Sequence, residues 1–249
     1  MLIKNDIRRT FMSYRLYVTV AAALIILLRP LIEVLSCGTG FSFIYLQQLP
    51  FGLSDYTPFA AIFCVLPFAD SFCDDYASGY IHSITLRIGP KEYAWQRFVS
   101  NAMIGGITQS VIVAITLSIC YLGADTPDTL ESIAFMQGTP WYELDLLLRF
   151  HGVLFFTLRV LLSFLFGALW ASVGLCVSAF STNRYITLVV PFVLYQLLWR
   201  LIDIPLFNPV EALGGNSVPS LLLLVVYQFV LIVICGVMAV KKIKKRICL

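Results

Sequence analysis

Residues 150–180 read FHGVLFFTLRVLLSFLFGALWASVGLCVSAF, a run in which Arg159 is the sole charged residue. About 20 predominantly apolar residues cross the hydrocarbon core of a bilayer. The run exceeds that length, so it reads as a transmembrane helix that projects beyond the membrane. Five further candidates surround it: Leu16 to Val34, a short one from Pro58 to Cys73, Phe98 to Leu122, Tyr185 to Asp203, and Val218 to Val240. The expected fold is therefore an all-α integral membrane protein with six transmembrane helices, a single transmembrane unit over residues 1–249.

Composition supports this reading. Of the 249 residues 59% are hydrophobic, mean hydropathy is +0.88, and only 12% are charged. A soluble domain carries about 25% charged residues, so this chain lacks the polar surface to coat a water-soluble globule. The net charge of +3 comes without a dense basic face interleaved with aromatics, and no nucleic-acid partner is expected. Seven cysteines without a CxxC or other paired spacing do not read as a disulfide framework.

Placement of charge sets the orientation. Thirteen of the 17 Lys and Arg residues fall at Lys4, Arg8, Arg9, Arg15, Arg87, Lys91, Arg97, Arg184 and in the tail Lys241 to Arg246. Cytosolic segments carry the excess of Lys and Arg. The opposite loops are acidic, with Asp55, Asp125, Asp128, Glu131, Glu143, Asp145 and Glu211. Six spans with both termini cytosolic satisfy this asymmetry. The early cations, and the lack of an A-x-A-like site, make the first apolar run a retained helix.

Outside the spans three segments carry pattern. In 1–15, Ile3, Ile7, Phe11 and Tyr14 recur at helical spacing, with cations on other faces, as in a helix lying in the membrane interface. Segment 123–149 holds Thr126-Pro127 and Gly138-Thr139-Pro140-Trp141 and reads as a small extracellular cap. The inner loop 74–97 repeats Tyr80, Ile84 and Ile88 at i, i+4, i+8, a short amphipathic helix ended by Gly89-Pro90. Pro90 suits the first turn of the next helix.

Asp74 or Asp75, Gly79, Arg87, Gly89-Pro90, Tyr93 and Arg97 follow one another in that loop. This succession resembles the membrane subunits of ABC-2-type ABC transporters, of the short six-helix kind common in Firmicutes. Such subunits usually have Glu and Lys where this chain has Asp and Arg, which preserves charge but not geometry. The resemblance implies that the inner loop is a coupling helix seated on a cytosolic ATPase subunit. On that reading Asp74, Asp75, Gly79, Tyr80, Ile84, Arg87, Lys91, Tyr93 and Arg97 serve the coupling. It also implies a second membrane subunit, alike or paralogous, placement in the plasma membrane, and export of a peptide, antimicrobial or lipid. No G-x-x-x-x-G-K-[ST] occurs in the chain. The chain is thus expected to bind no cofactor itself, with ATP and Mg held by the partner ATPase.

Charges in the spans are costly and face partners, cavities or headgroups. Arg29 with Glu33, Arg159, and Arg200 with Asp203 are candidates for a pathway or outer gate; the alternative is snorkelling at the outer headgroups. Ser163, Gly167 and Ala171 repeat at spacing four, which lets helix backbones approach closely. Gly105-Gly106 and Gln109 mark a second close-approach point. An enzyme is disfavoured: His82 and His151 are the only histidines, H-E-x-x-H is absent, and no second Asp cluster accompanies Asp70, Asp74 and Asp75. A secondary transporter, a channel or an accessory membrane protein without an ATPase remains the alternative.

Overall fold

The computed structural model describes residues 2–38, 40–125, 152–181, 183–204, 206–209, 213 and 221–247. They are all-helical, without strands. Most of the expected cap over 123–149, from residue 126 on, lies outside them.

The chain opens with α1 (Leu2–Phe11), then α2 (Tyr14–Cys37). Ser13 separates them and accepts a hydrogen bond from the Arg15 amide, an N-cap that starts the second helix. Helix α3 (Phe43–Gly52), capped by Ser42, was not anticipated from the pattern. Next come α4 (Tyr56–Val65) and α5 (Ser71–Ala77). Helix α6 (Tyr80–Ile88) lies between Gly79, at φ 71, and Gly89, at φ 82. The long α7 (Pro90–Leu122) follows at once, with Pro90 in its first turn, where a missing N–H costs nothing. Helices α8 (Gly152–Phe180), α9 (Arg184–Leu201) and α10 (Leu221–Ile247) complete the described chain.

Four of these helices, α2, α7, α8 and α10, are long and apolar enough to cross a membrane, as in a multi-pass membrane protein. Burial shows their arrangement. Over the most apolar stretch of each, 56% of α7 and 61% of α8 are buried, against 22% of α2 and 17% of α10. The pair α7–α8 is thus the axis of the bundle, with α2 and α10 outside it. The outer helices show water-insoluble faces: Val18, Ile25 and Ile32 on α2 and Leu222, Phe229 and Val233 on α10 are exposed. A contiguous apolar exterior is what lipid solvates and water does not.

The segment expected to form one short span from Pro58 to Cys73 is instead broken. Helix α4 stops at Val65, a turn occupies 66–70, and α5 begins at Ser71. Pro67 lacks an amide hydrogen and so cannot continue the helical ladder. Pro67, Phe68, Ala69 and Asp70 are buried by protein, and Ala69 and Ser71 donate to the Val65 and Phe68 carbonyls at 3.1 and 3.0 Å. Protein thus satisfies part of the backbone that the break would otherwise leave unpaired. Helix α9, 18 residues closed by Arg184 and Arg200, falls outside the set of long apolar helices, as does the ten-residue α4.

Candidate functional site

The charged residues converge at one end of the bundle, on α5. Arg97 of α7 is the centre, with only 1% of its surface exposed. Its Nη1 lies 2.8 Å from Asp6 Oδ1 of α1, its Nη2 pairs with Asp75 Oδ2 of α5, and Nη2 also donates to the Ser71 carbonyl at 3.3 Å. The guanidinium stands over the rings of Phe68 and Tyr93, 5.0 and 5.8 Å from their centroids. The Tyr93 hydroxyl donates to Asp75 Oδ2 at 3.1 Å, and Arg9 reaches Asp75 Oδ1 at 3.2 Å. Two carboxylates and two guanidiniums therefore balance, which a buried cluster requires because an unpaired charge there is strongly destabilising. Arginine suits the centre, since its planar fork serves two carboxylates at once.

Other helices close on the same short element. Arg15, at the start of α2, is 3.0 Å from Asp70 and 3.8 Å from Asp74. Cys73 donates to the Ser181 carbonyl after α8 at 3.5 Å and lies 3.6 Å from Thr187 of α9. Arg246, near the end of α10, donates to the Ala179 carbonyl at 3.2 Å and stacks over the Tyr76 ring at 4.8 Å. A cation at the carbonyl end of α8 also meets the negative pole of that helix. Helix α5 is thus a hub touched by α1, α2, α7, α9 and α10, and both the first helix and the last one end beside it.

Helix α6 hangs from this hub between its two glycines. Its inner side is Ile81, buried, and Ile84, which packs against a cluster holding Phe72, Tyr93 and Ala94. Its outer side is open: Leu86 is 88% exposed, and Tyr80, Arg87, Ile88 and the following Lys91 are exposed as well. Of the stripe Tyr80, Ile84 and Ile88, Ile84 packs inward beside Ile81, while Tyr80 and Ile88 are exposed. Gly79 adopts the left-handed region at the start of the helix, a conformation that glycine takes readily.

The stripe of α1 is split in the same way. Ile3 and Ile7 are half-buried, but Phe11 and Tyr14 are exposed, and Asp6 and Thr10 are the buried members. Asp6 is held inward by Arg97, and the apolar Phe11 stays at the surface.

No family model, curated protein or solved structure matches the chain.

Of the coupling residues read from the sequence, the structure brings Asp75, Tyr93 and Arg97 into one cluster. Asp74 sits at its edge by Arg15, and Gly79, Tyr80, Ile84, Arg87 and Lys91 lie on or beside α6. The pathway candidates are not gathered. Arg29 and Glu33 pair with each other at 3.1 Å on the exposed side of α2, and Arg200 and Asp203 are exposed and do not bridge. Arg159 alone is buried, its guanidinium 5.3 Å from the Phe51 ring centroid. The small-residue seam is an internal contact of α8 with α7. A side chain added at Gly105 would meet Ala171 and the Gly167 carbonyl, and one at Gly167 would meet Gln109 Cβ at 2.7 Å. Asn101 donates across it to the Ala171 carbonyl at 2.6 Å.

Sequence reading missed Asp6 as the partner of Arg97, and Arg9, Arg15 and Arg246 as members of the site. One signal was present: Asp6 is the single acidic residue among the first fifteen, inside a cationic segment.

Proposed function

We propose that the chain is the membrane-spanning subunit of an ATP-driven transporter, energised by a separate cytosolic ATPase that docks on α6. The observation that carries this reading is the contrast within one short stretch. The outer side of α6, with Leu86, Arg87 and Lys91, is exposed, while its root is tied through Asp75 and Arg97 to α1 and α7. A force applied to α6 passes through a buried, multiply hydrogen-bonded hub into helices that lead across the bundle. An interfacial loop that merely joins two spans needs no such tie.

On this reading α4, the 66–70 turn and α5 together form a broken second crossing, α9 forms the fifth, and the chain crosses six times with both termini cytosolic in the plasma membrane. The cations of α1, α6 and α10 then lie on the side where positive charge is retained. A second membrane subunit completes the assembly, ATP and Mg reside on the ATPase, and the cargo is an exported peptide, antimicrobial or lipid. A secondary transporter is the competing reading. Such carriers use interrupted helices near the midplane, whereas the break at 66–70 lies beside the Arg15–Asp70 pair at the charged end of the bundle, which favours the ATP-driven reading.

The deciding experiment is affinity purification of the tagged chain from its native membrane, with assay for a P-loop ATPase. The expected result is a stoichiometric ATPase that is lost in an Arg87→Glu, Leu86→Asp variant. Both positions are exposed, so the variant keeps the fold. Transport by the purified chain alone, driven by an ion gradient, overturns the proposal.

A further inference from the structure

A cleft of about 260 Å³ lies between α8, α9, α10 and the residues just after α9. Its wall is apolar, with Phe166, Leu194, Leu198 and Leu231 among its residues. Four polar side chains interrupt it, Trp170, Asn208, Tyr227 and Gln228; Asn208 is engaged, donating to the Trp199 and Ile202 carbonyls at 3.5 and 3.1 Å. Gln228 of α10 is 1% exposed, and neither its amide oxygen nor its amide nitrogen has a hydrogen-bond partner. Trp170 of α8, 3% exposed, lines the same cleft, and its indole nitrogen also lacks a partner. Together Gln228 and Trp170 present three N–H donors on two nitrogens and one acceptor oxygen. Buried polar groups are almost always satisfied, and more so where lipid replaces water.

We infer that this cleft is an intramembrane binding site for a single-chain amphiphile whose polar group both donates and accepts, a hydroxyl or an amide on an alkyl chain. The acceptor of such a group meets the Gln228 amide nitrogen or the Trp170 indole, and its donor meets the Gln228 oxygen. The chain of the ligand lies along the apolar wall. Leu194 and Phe207 in that wall are exposed, so entry is from the outer surface of α9 and the residues just after it rather than along the bundle axis. The volume sits just below the roughly 300–1,000 Å³ of drug-sized ligand pockets, which fits one short chain and not a two-chain lipid. The site does not depend on any ATPase partner.

Bromine quenching of Trp170 tests this with the full chain in lipid nanodiscs. Bromoundecanol is titrated against bromoundecane, the same chain without the hydroxyl, at equal mole fraction in the bilayer. The expected result is saturable quenching by the alcohol, with affinity for the alkane about tenfold lower because the buried amide stays unpartnered. Gln228→Leu is expected to abolish the preference for the alcohol while melting no lower than the parent, since it removes an unsatisfied group. Val173→Phe narrows the cleft from α8, leaves Gln228 in place, adds no second indole to the signal, and is expected to abolish saturable binding of both probes. Trp170→Phe removes the saturable component of the signal. Linear, unsaturable quenching by both probes, or an alcohol preference that survives Gln228→Leu, overturns the inference. The first of these results means that only water or bulk lipid occupies the cleft.

Discussion

Asp6 of α1 and Arg97 of α7 meet at 2.8 Å with 7% and 1% of their side chains exposed, an ion pair that pins the amino-terminal helix to the axis of the bundle. Arg97 also serves Asp75, so two carboxylates depend on one guanidinium. Arg97→Ala strands both, and the expected loss is about 3–5 kcal/mol in thermal unfolding of the detergent-solubilised protein. Arg9→Ala, which removes a half-exposed partner of Asp75, is expected to cost at most about 1 kcal/mol. The neutral triple change Asp6→Asn, Asp75→Asn, Arg97→Met is expected to recover most of the stability. Equal instability of the triple and single variants would show that packing of Arg97, not its charge, holds the hub together.

The α7–α8 seam gives a graded series. Gly167→Ala places a methyl group against Gln109 Cβ at 2.7 Å and against the Gly105 carbonyl, where a helix backbone cannot give way. The expected cost is about 1–3 kcal/mol. At Gly236 the obstacle is the Phe98 ring, 2.5 to 2.9 Å away, which can turn on its side-chain bonds. Gly236→Ala is expected to cost less than Gly167→Ala. Gly52→Ala meets nothing within 4 Å and is expected to be neutral or mildly stabilising. Melting temperatures of the three variants check the order.

The glycines around α6 are held by backbone angle, not by space. Nothing lies within 4 Å of a side chain added at Gly79 or Gly89. Gly89, at φ 82 and ψ 152, occupies a region essentially confined to glycine, so Gly89→Ala is expected to cost about 1–3 kcal/mol locally. Gly79, at φ 71 and ψ 1, tolerates Asn better than Val. Limited trypsin digestion at Arg87 and Lys91 reads the effect: faster cleavage in Gly89→Ala and Gly79→Val, and near-parental cleavage in Gly79→Asn.

Orientation has its own test. Leu86 on α6 and Leu53 after α3 are both exposed, at opposite ends of the bundle, and the native Cys64, Cys73 and Cys120 are buried. With Cys37, Cys176, Cys235 and Cys248 replaced by Ser, a membrane-impermeant maleimide is expected to label Leu86→Cys in inside-out vesicles and Leu53→Cys in right-side-out ones. The reverse pattern would place α6 outside the cell and remove the proposed docking surface.

Hydropathy and spacing alone determined the class of this protein: an all-helical chain with apolar helices near residues 16–34, 98–122, 150–180 and 218–240, which the structure places at 14–37, 90–122, 152–180 and 221–247. A helix hydrophobic on most sides has few alternatives to lipid, so its existence and approximate ends follow from local composition. Periodicity also located α6, and Gly89-Pro90 marked its end correctly. Which residues those helices turn toward one another was decided by tertiary contact. Asp6 is buried because it pairs with Arg97, Ile81 and Ile84 turn inward because Phe72, Tyr93 and Ala94 gather there, and Gly105 meets Gly167 because neither carries a side chain to hold the two backbones apart. The break at 66–70 is stable because surrounding helices bury and satisfy it. Each of these outcomes is a pairing between residues distant in the chain, and pairing energy depends on separation in space, which spacing along one helix does not contain.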